Sequence, residues 1–139
     1  MKKSKANISG DAESYIRQGV LLKNQGDING AIDSFKKAIQ INPSLIDPYI
    51  MLGIILMKKG DFDNSLEHIN KAISLNPSHP EVYNCLGIIL RKQADPFKAI
   101  SSFRKTLSIN PKHPEANYNL GMTLIEINSI ASAIPYLNK

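Results

Sequence analysis

The 139-residue sequence has a single cysteine, Cys85, no tryptophan, and only five tyrosines and four phenylalanines. A lone thiol cannot close an internal disulfide, which agrees with a reducing compartment. Long apolar runs are missing as well. The longest, Ile50 to Met57, is interrupted by Gly53 and followed by Lys58-Lys59, far short of the roughly 20 residues that cross a bilayer. No membrane span is expected. The opening MKKSKANISGDAES has the charged start of an export signal but not the apolar stretch of about 7 to 15 residues that must follow it. It reads as a basic tail over residues 1–11 of a cytoplasmic protein.

Charge of one sign is also scarce. The formal net charge is +5, and Lys2, Lys3 and Lys5 supply three of those charges. The remaining balance is close to neutral and no basic surface is interleaved with stacking aromatics, which argues against nucleic acid as a partner. Catalytic signatures are missing too. His68, His79 and His113 never fall at the i, i+4 spacing that places metal ligands together on a helix. No histidine lies near Cys85 in sequence to act as its base. There is no glycine-rich phosphate loop, and neither a cofactor nor a metal is expected. The chain reads as a non-enzyme.

What the sequence does have is an ungapped repeat. Ile41-Asn42-Pro43, Leu75-Asn76-Pro77 and Ile109-Asn110-Pro111 are each 34 residues apart, as are the two copies of LGIIL at 52–56 and 86–90. Between the prolines lie two helix-length segments. Tyr49, Leu52, Gly53 and Leu56 follow i, i+3, i+4, i+7, and Leu66, Ile69 and Ile73 follow a similar pattern. Gly26-Asp27 and Gly60-Asp61 stop the first helix and cap the second. Asn-Pro closes the second helix, because the residue before proline is pushed out of helical geometry. In the third unit Ala94-Asp95-Pro96 keeps the aspartate and puts proline where a helix begins.

This spacing resembles the tetratricopeptide repeat, a 34-residue helix–turn–helix unit. Its pattern is met by Tyr15, Gly19, Leu22, Ala31, Phe35, Ala38 and Pro43. It recurs as Tyr49, Leu52, Gly53, Leu56, Ser65, Ile69, Ala72 and Pro77, and as Tyr83, Leu86, Gly87, Leu90, Ala99, Phe103, Thr106 and Pro111. The fourth unit keeps Leu120, Gly121, Leu124, Ala133 and Leu137. Repeats are assigned to 12–45, 46–79, 80–113 and, incomplete, 114–139. Some positions depart from the pattern: Gln18 replaces a leucine, Asn117 the usual aromatic, and Asn128-Ser129 the last Gly-Asp turn. Pro135 falls inside the final helix, which is expected to start late with Ser132 as its cap. The chain then stops without the polar capping helix that stacked repeats usually need, so a longer parent protein or a second copy at that end is an open reading.

The resemblance implies an all-α, right-handed α-solenoid whose first helices line a groove for a peptide or a partner helix. On that face the sequence places Ile16 and Val20, then Ile50, Met51, Ile54 and Met57, then Ile88, then Tyr118, Asn119, Met122 and Ile125. The row Val20, Ile54, Ile88 and Met122 is apolar where the family usually has asparagine. A contiguous apolar strip of this kind fits an interface, with its methionines giving adaptable contacts; the alternative is that the stack buries the strip against its own neighbouring helices. Lys23, Lys58, Arg91 and Lys92 form a basic rim, although bases at helix C-termini also complement the helix dipole. Lys37, Lys71, Lys105 and Lys139 recur as an outer ridge.

Repeat proteins that clamp the C-terminus of heat-shock chaperones use lysine, asparagine and arginine at positions that here hold Ile16, Val20, Met51, Glu81 and Cys85. That clamp is absent. The asparagine ladder of O-linked N-acetylglucosamine transferase repeats runs through Arg17, Met51, Cys85 and Asn119, and only the last complies. The expected function is a non-catalytic scaffold that binds an apolar or amphipathic protein segment. Two alternatives stand beside it. One is the substrate-targeting part of a larger enzyme, such as a glycosyltransferase or sulfotransferase. The other is a self-associating unit.

Overall fold

The computed structural model describes residues 5–128 and 130–138. Its helices are α1 (Lys5–Asn24), α2 (Ile28–Ile41), α3 (Ile46–Lys58), α4 (Phe62–Leu75), α5 (Pro80–Lys92), α6 (Pro96–Ile109), α7 (Pro114–Glu126) and α8 (Ile130–Leu137). There is no strand among the described residues. The helices group into two compact units that divide between Leu75 and Asn76, with α1 to α4 in the first and α5 to α8 in the second. Helix α1 reaches back to Lys5, so most of the stretch read as a tail is helical backbone; Lys2 and Lys3 lie outside the described residues.

Local turn chemistry sets these boundaries. Gly26 and Gly60 take positive φ, 86° and 82°, the left-handed conformation that lets the chain leave one helix and enter the next. Asp27 then caps α2, accepting a hydrogen bond from the Gly30 amide at 2.9 Å, and Asp95 caps α6 through the Lys98 amide at 3.2 Å. At the other end, Asn42 and Asn110 are extended. The side-chain oxygens of Asn42, Asn76 and Asn110 accept from the amide two residues on, at 3.1, 3.0 and 3.2 Å, which turns the chain into the following helix.

Where the third turn lacks glycine, Ala94 adopts φ 62° and Asn128 does the same in the fourth at 63°. A Cβ in this region costs energy that glycine avoids. Ala94→Gly is therefore expected to raise stability by about 0.5–1 kcal/mol, read as a higher urea midpoint. A lower midpoint would mean the turn carries no strain.

Within each unit the glycine of the first helix faces a bulky residue of the second. A Cβ on Gly19 would stand 2.7 Å from Phe35, and one on Gly87 would stand 2.5 Å from Phe103. The backbones can approach this closely only because the side chain is missing. Phe35 and Phe103 are both fully buried. Phe35 packs with Ala31, Leu52 and Ile55, and Phe103 with Ala99, Ile100, Leu120 and Leu124. The Ser65 hydroxyl donates to the Gly53 carbonyl at 2.6 Å and closes the α3–α4 contact from its polar side.

The last helix corrects one expectation. It begins at Ile130, so Ser132 lies within it rather than capping it, and Pro135 sits well inside. Proline lacks the amide that would reach back four residues, which removes a single bond from this helix. Packing of Tyr136 against the Phe103 cluster holds the segment in place.

Candidate functional site

The first helices of the repeats are α1 and α3 in one unit and α5 and α7 in the other. The residues read as a binding strip fall into two groups on them. Ile16 and Met51 pack against the Phe35 cluster, and Ile88 and Ile125 against the Phe103 cluster. Ile50 is only 5% exposed and Asn119 only 7%. These six side chains give much or all of their surface to the interior. Val20 and Tyr118 are open to solvent, at 38% and 57%, while Ile54, Met57 and Met122 are half-buried. Leu21, which the sequence reading did not single out, is 57% exposed.

The reason for the split is geometric. A helix in a repeat touches its own partner and its neighbours, so the apolar arc is wider than one stripe. The five apolar residues of LGIIL are covered from more than one side for this reason. Leu52 and Ile55 are in the core of the first unit, and Ile89 is fully buried in the second.

Polar groups on α5 and α7 pair across the seam between these two helices. Arg91 makes a bidentate ion pair with Glu126, its Nε lying 3.1 and 3.0 Å from the two carboxylate oxygens, with its Nη2 on Oε1 as well. Asn119 donates to the Asn84 side-chain oxygen at 3.5 Å, and Asn84 is fully buried. Glu126 was not among the candidates. Arg91, placed in the basic rim, has its charge met by Glu126. Lys58 and Lys92 are exposed, and Lys23 is half-buried.

The hydrogen bond from Arg91 is the main cause that holds the Glu126 carboxyl below its ordinary range; it also raises the Arg91 guanidinium. The sign follows for stability. A lowered folded-state value means the contribution is present above the unfolded carboxylate's value, near 4.3, and is lost as pH falls through the lower folded value. The Glu126 side chain is 46% exposed, so solvent screening limits the pair to about 0.2–1 kcal/mol. Glu126→Gln should lower stability by that amount at pH 7, and by progressively less as pH falls below the ordinary carboxylate range toward the lowered folded-state value. Urea titrations over a series of pH values from 7 downward check this, and a loss that does not shrink with pH would exclude the ionic origin.

His79 and His113 are the residues at which α5 and α7 start, while His68 lies within α4. His113 Nδ1 accepts from the Ala116 amide at 3.2 Å and caps α7. That leaves Nε2 to donate to the Glu81 carboxylate at 3.0 Å. The Cys85 thiol is 1% exposed and lies 4.0 Å from the other Glu81 oxygen. The carboxylate thus stands between thiol and imidazole, and a buried thiol facing an acid is not an activated nucleophile. No cluster of metal-ligating side chains occurs among the described residues, and no described helix is long and apolar enough to cross a membrane.

Consecutive helices packed in pairs within each unit, with a glycine-to-bulky contact in the first three pairs, define an all-α helical-repeat protein. Family models for the tetratricopeptide repeat match residues 12–45, 53–93 and 114–139. The chain belongs to the tetratricopeptide repeat family. Solved structures agree on the fold. The crystal structure of MamA is similar at a TM-score of 0.81 and 24% identity, with 92% of this chain and 75% of that one covered. Pseudomonas aeruginosa PilF gives 0.85 and 21%, with 95% and 60% covered. The Thermobaculum terrenum O-GlcNAc transferase K341M mutant gives 0.82 and 17%, with 88% of this chain against 23% of that one. A search of curated proteins found no significant match.

Proposed function

We propose that the chain is a non-catalytic scaffold that binds a peptide or helical segment of a partner protein through the apolar surface of its first helices. The observation that carries this reading is Tyr118, an aromatic that is 57% exposed on a first helix whose adjacent Asn117 and Asn119 are both buried. Large aromatics that present one face to water are favoured anchors at protein interfaces. Met122 lies one turn further on the same helix and is half-buried. In the other unit Val20, Ile54 and Met57 offer the equivalent surface. An apolar or amphipathic segment suits these residues, with methionine adapting to its shape. Acidic flanks would be favoured near Lys58 and Lys92.

Selection of displayed random peptides on the folded chain tests this. The expected result is enrichment of peptides with apolar anchors at regular spacing, whose binding falls at least tenfold, about 1.4 kcal/mol, in Val20→Glu or Tyr118→Glu. Lys37→Glu on the outer ridge should leave binding intact. Peptides that bind all three variants equally would place recognition elsewhere.

A further inference from the structure

The outward face of α6 differs in kind from those of α2 and α4. With about 100° between successive helical residues, Phe97, Lys98, Ser101, Arg104, Lys105 and Ser108 fall within an arc of about 120°. All of them are exposed. The opposite arc holds the buried Ala99, Phe103 and Thr106. Phe97, 70% exposed, stands at one end of the face. Arg104 and Lys105 lie about two turns on, roughly 10 Å along the axis.

The 34-residue repeat shows what is unusual here. The places of Phe97, Ser101 and Arg104 are held by Asn29, Asp33 and Lys36 in α2, and by Asp63, Glu67 and Asn70 in α4, all exposed. In α6 an aromatic ring thus stands where the other helices are polar, and a serine where both are acidic. No acidic residue is left in the helix. The nearest one in sequence, Asp95, is engaged: one oxygen accepts from the Lys98 amide at 3.2 Å, and the other lies 3.6 Å from the Lys98 ammonium. Arg104 and Lys105 make no ion pair among the described residues. Lys105 lies 5.7 Å from the Tyr83 ring centre and keeps its charge in solvent. Cations toward a helix C-terminus complement the dipole, but the dipole does not account for an exposed phenylalanine two turns away.

We propose that this face of α6 docks on an anionic phospholipid surface, with Arg104 and Lys105 against the charged headgroups and Phe97 in the interfacial layer. The occupant follows from charge and shape. Three cations and no acid call for an anionic surface. The face is the convex side of a helix, and only the small hydroxyl side chains of Ser101 and Ser108 lie between the ring and the cations, so a flat surface reaches both at once. Lysine and arginine near such a surface act through their charge and need no matched acceptor. An aromatic ring beside them enters the boundary between headgroups and acyl chains, as the apolar side of an interfacial helix does. The contact is peripheral, and it uses none of the first-helix residues proposed above, so its test stands apart from theirs.

The test is sedimentation of the full chain with vesicles of phosphatidylcholine, alone or mixed with phosphatidylserine. Binding is expected to the mixed vesicles only, and it should fall as salt screens the charges. Each cation near an anionic surface is worth about fivefold, so Arg104→Glu combined with Lys105→Glu should weaken binding at least tenfold. Lys36→Glu combined with Lys37→Glu makes the same change of net charge in the same register of α2, and should weaken it by less than about threefold. The sequence has no tryptophan, so Phe97→Trp supplies a single fluorophore whose emission should move to the blue on mixed vesicles. All of these positions are exposed, and circular dichroism checks that each variant is folded. Absence of sedimentation with mixed vesicles would overturn the proposal, as would equal losses for the two charge-reversed pairs or an unshifted emission. A shift seen with polyglutamate or oligothymidylate and not with vesicles would give the face to an acidic protein or to nucleic acid, and would overturn it too.

Discussion

Phe103→Ala is expected to cost about 3–5 kcal/mol, the range for removing a buried aromatic ring. The ring is fully buried and packs with Ala99, Ile100, Leu120 and Leu124, so it joins α6 to α7 while its edge fills the space over Gly87 on α5. Small domains have a net stability of about 5–15 kcal/mol, so one substitution would remove a large fraction of it. Urea denaturation followed by far-ultraviolet circular dichroism measures the loss. Phe97, on the same helix but 70% exposed, is the internal control: Phe97→Ala should stay within about 0.5 kcal/mol of wild type. Equal losses for the two would mean that ring burial is not what stabilises this unit.

Gly87→Ala has the second largest expected effect, and its sign is set by two opposed contributions. Alanine is favoured over glycine in a helix interior by about 1 kcal/mol. Against this, the new Cβ would lie 2.5, 2.7 and 2.8 Å from three atoms of the Phe103 ring. A rigid ring held on all sides cannot move aside as a flexible side-chain end would, and overpacking of this kind costs about 1–3 kcal/mol. The net expectation is a loss of about 1 kcal/mol, and more for Gly87→Val. A double variant makes the contact explicit. Once Phe103→Ala has removed the ring, Gly87→Ala should become neutral or stabilising, so the two changes depart from additivity by about 1 kcal/mol or more. Additivity within about 0.5 kcal/mol would show that the two positions do not meet.

Much of this fold is legible in the letters, because its boundaries are set by local chemistry. Asp27 and Asp95 cap the helices that follow them, and Ala94 turns the chain where glycine is missing, because cap and turn conformations depend on a few adjacent residues. The last helix was read less well. Ser132 and Pro135 offered a local cap and stop, yet packing of Tyr136 on the core outweighed both. The candidate site shows the same division. Helical periodicity put Ile88 and Val20 in one row, but whether each is covered depends on neighbours that periodicity does not supply. Ile88 packs against a core cluster and Val20 stays open. The pairing of Arg91 with Glu126 joins different repeats, and nothing in either one's local pattern announces the other.

The hydrogen bonds that tie helices together here have a further consequence for how the chain reaches its structure. Tyr49 and Tyr83 reach back six residues, Ser65 reaches twelve, and the links from Arg91 to Glu126 and Asn84 to Asn119 reach thirty-five. None of these bonds requires distant parts of the chain to find one another, so the entropy of closing long loops is small at every step. On a ribosome delivering about 5–20 residues per second, the helix that completes the core of a pair follows it within seconds, as α3 follows Phe35 and α7 follows Phe103.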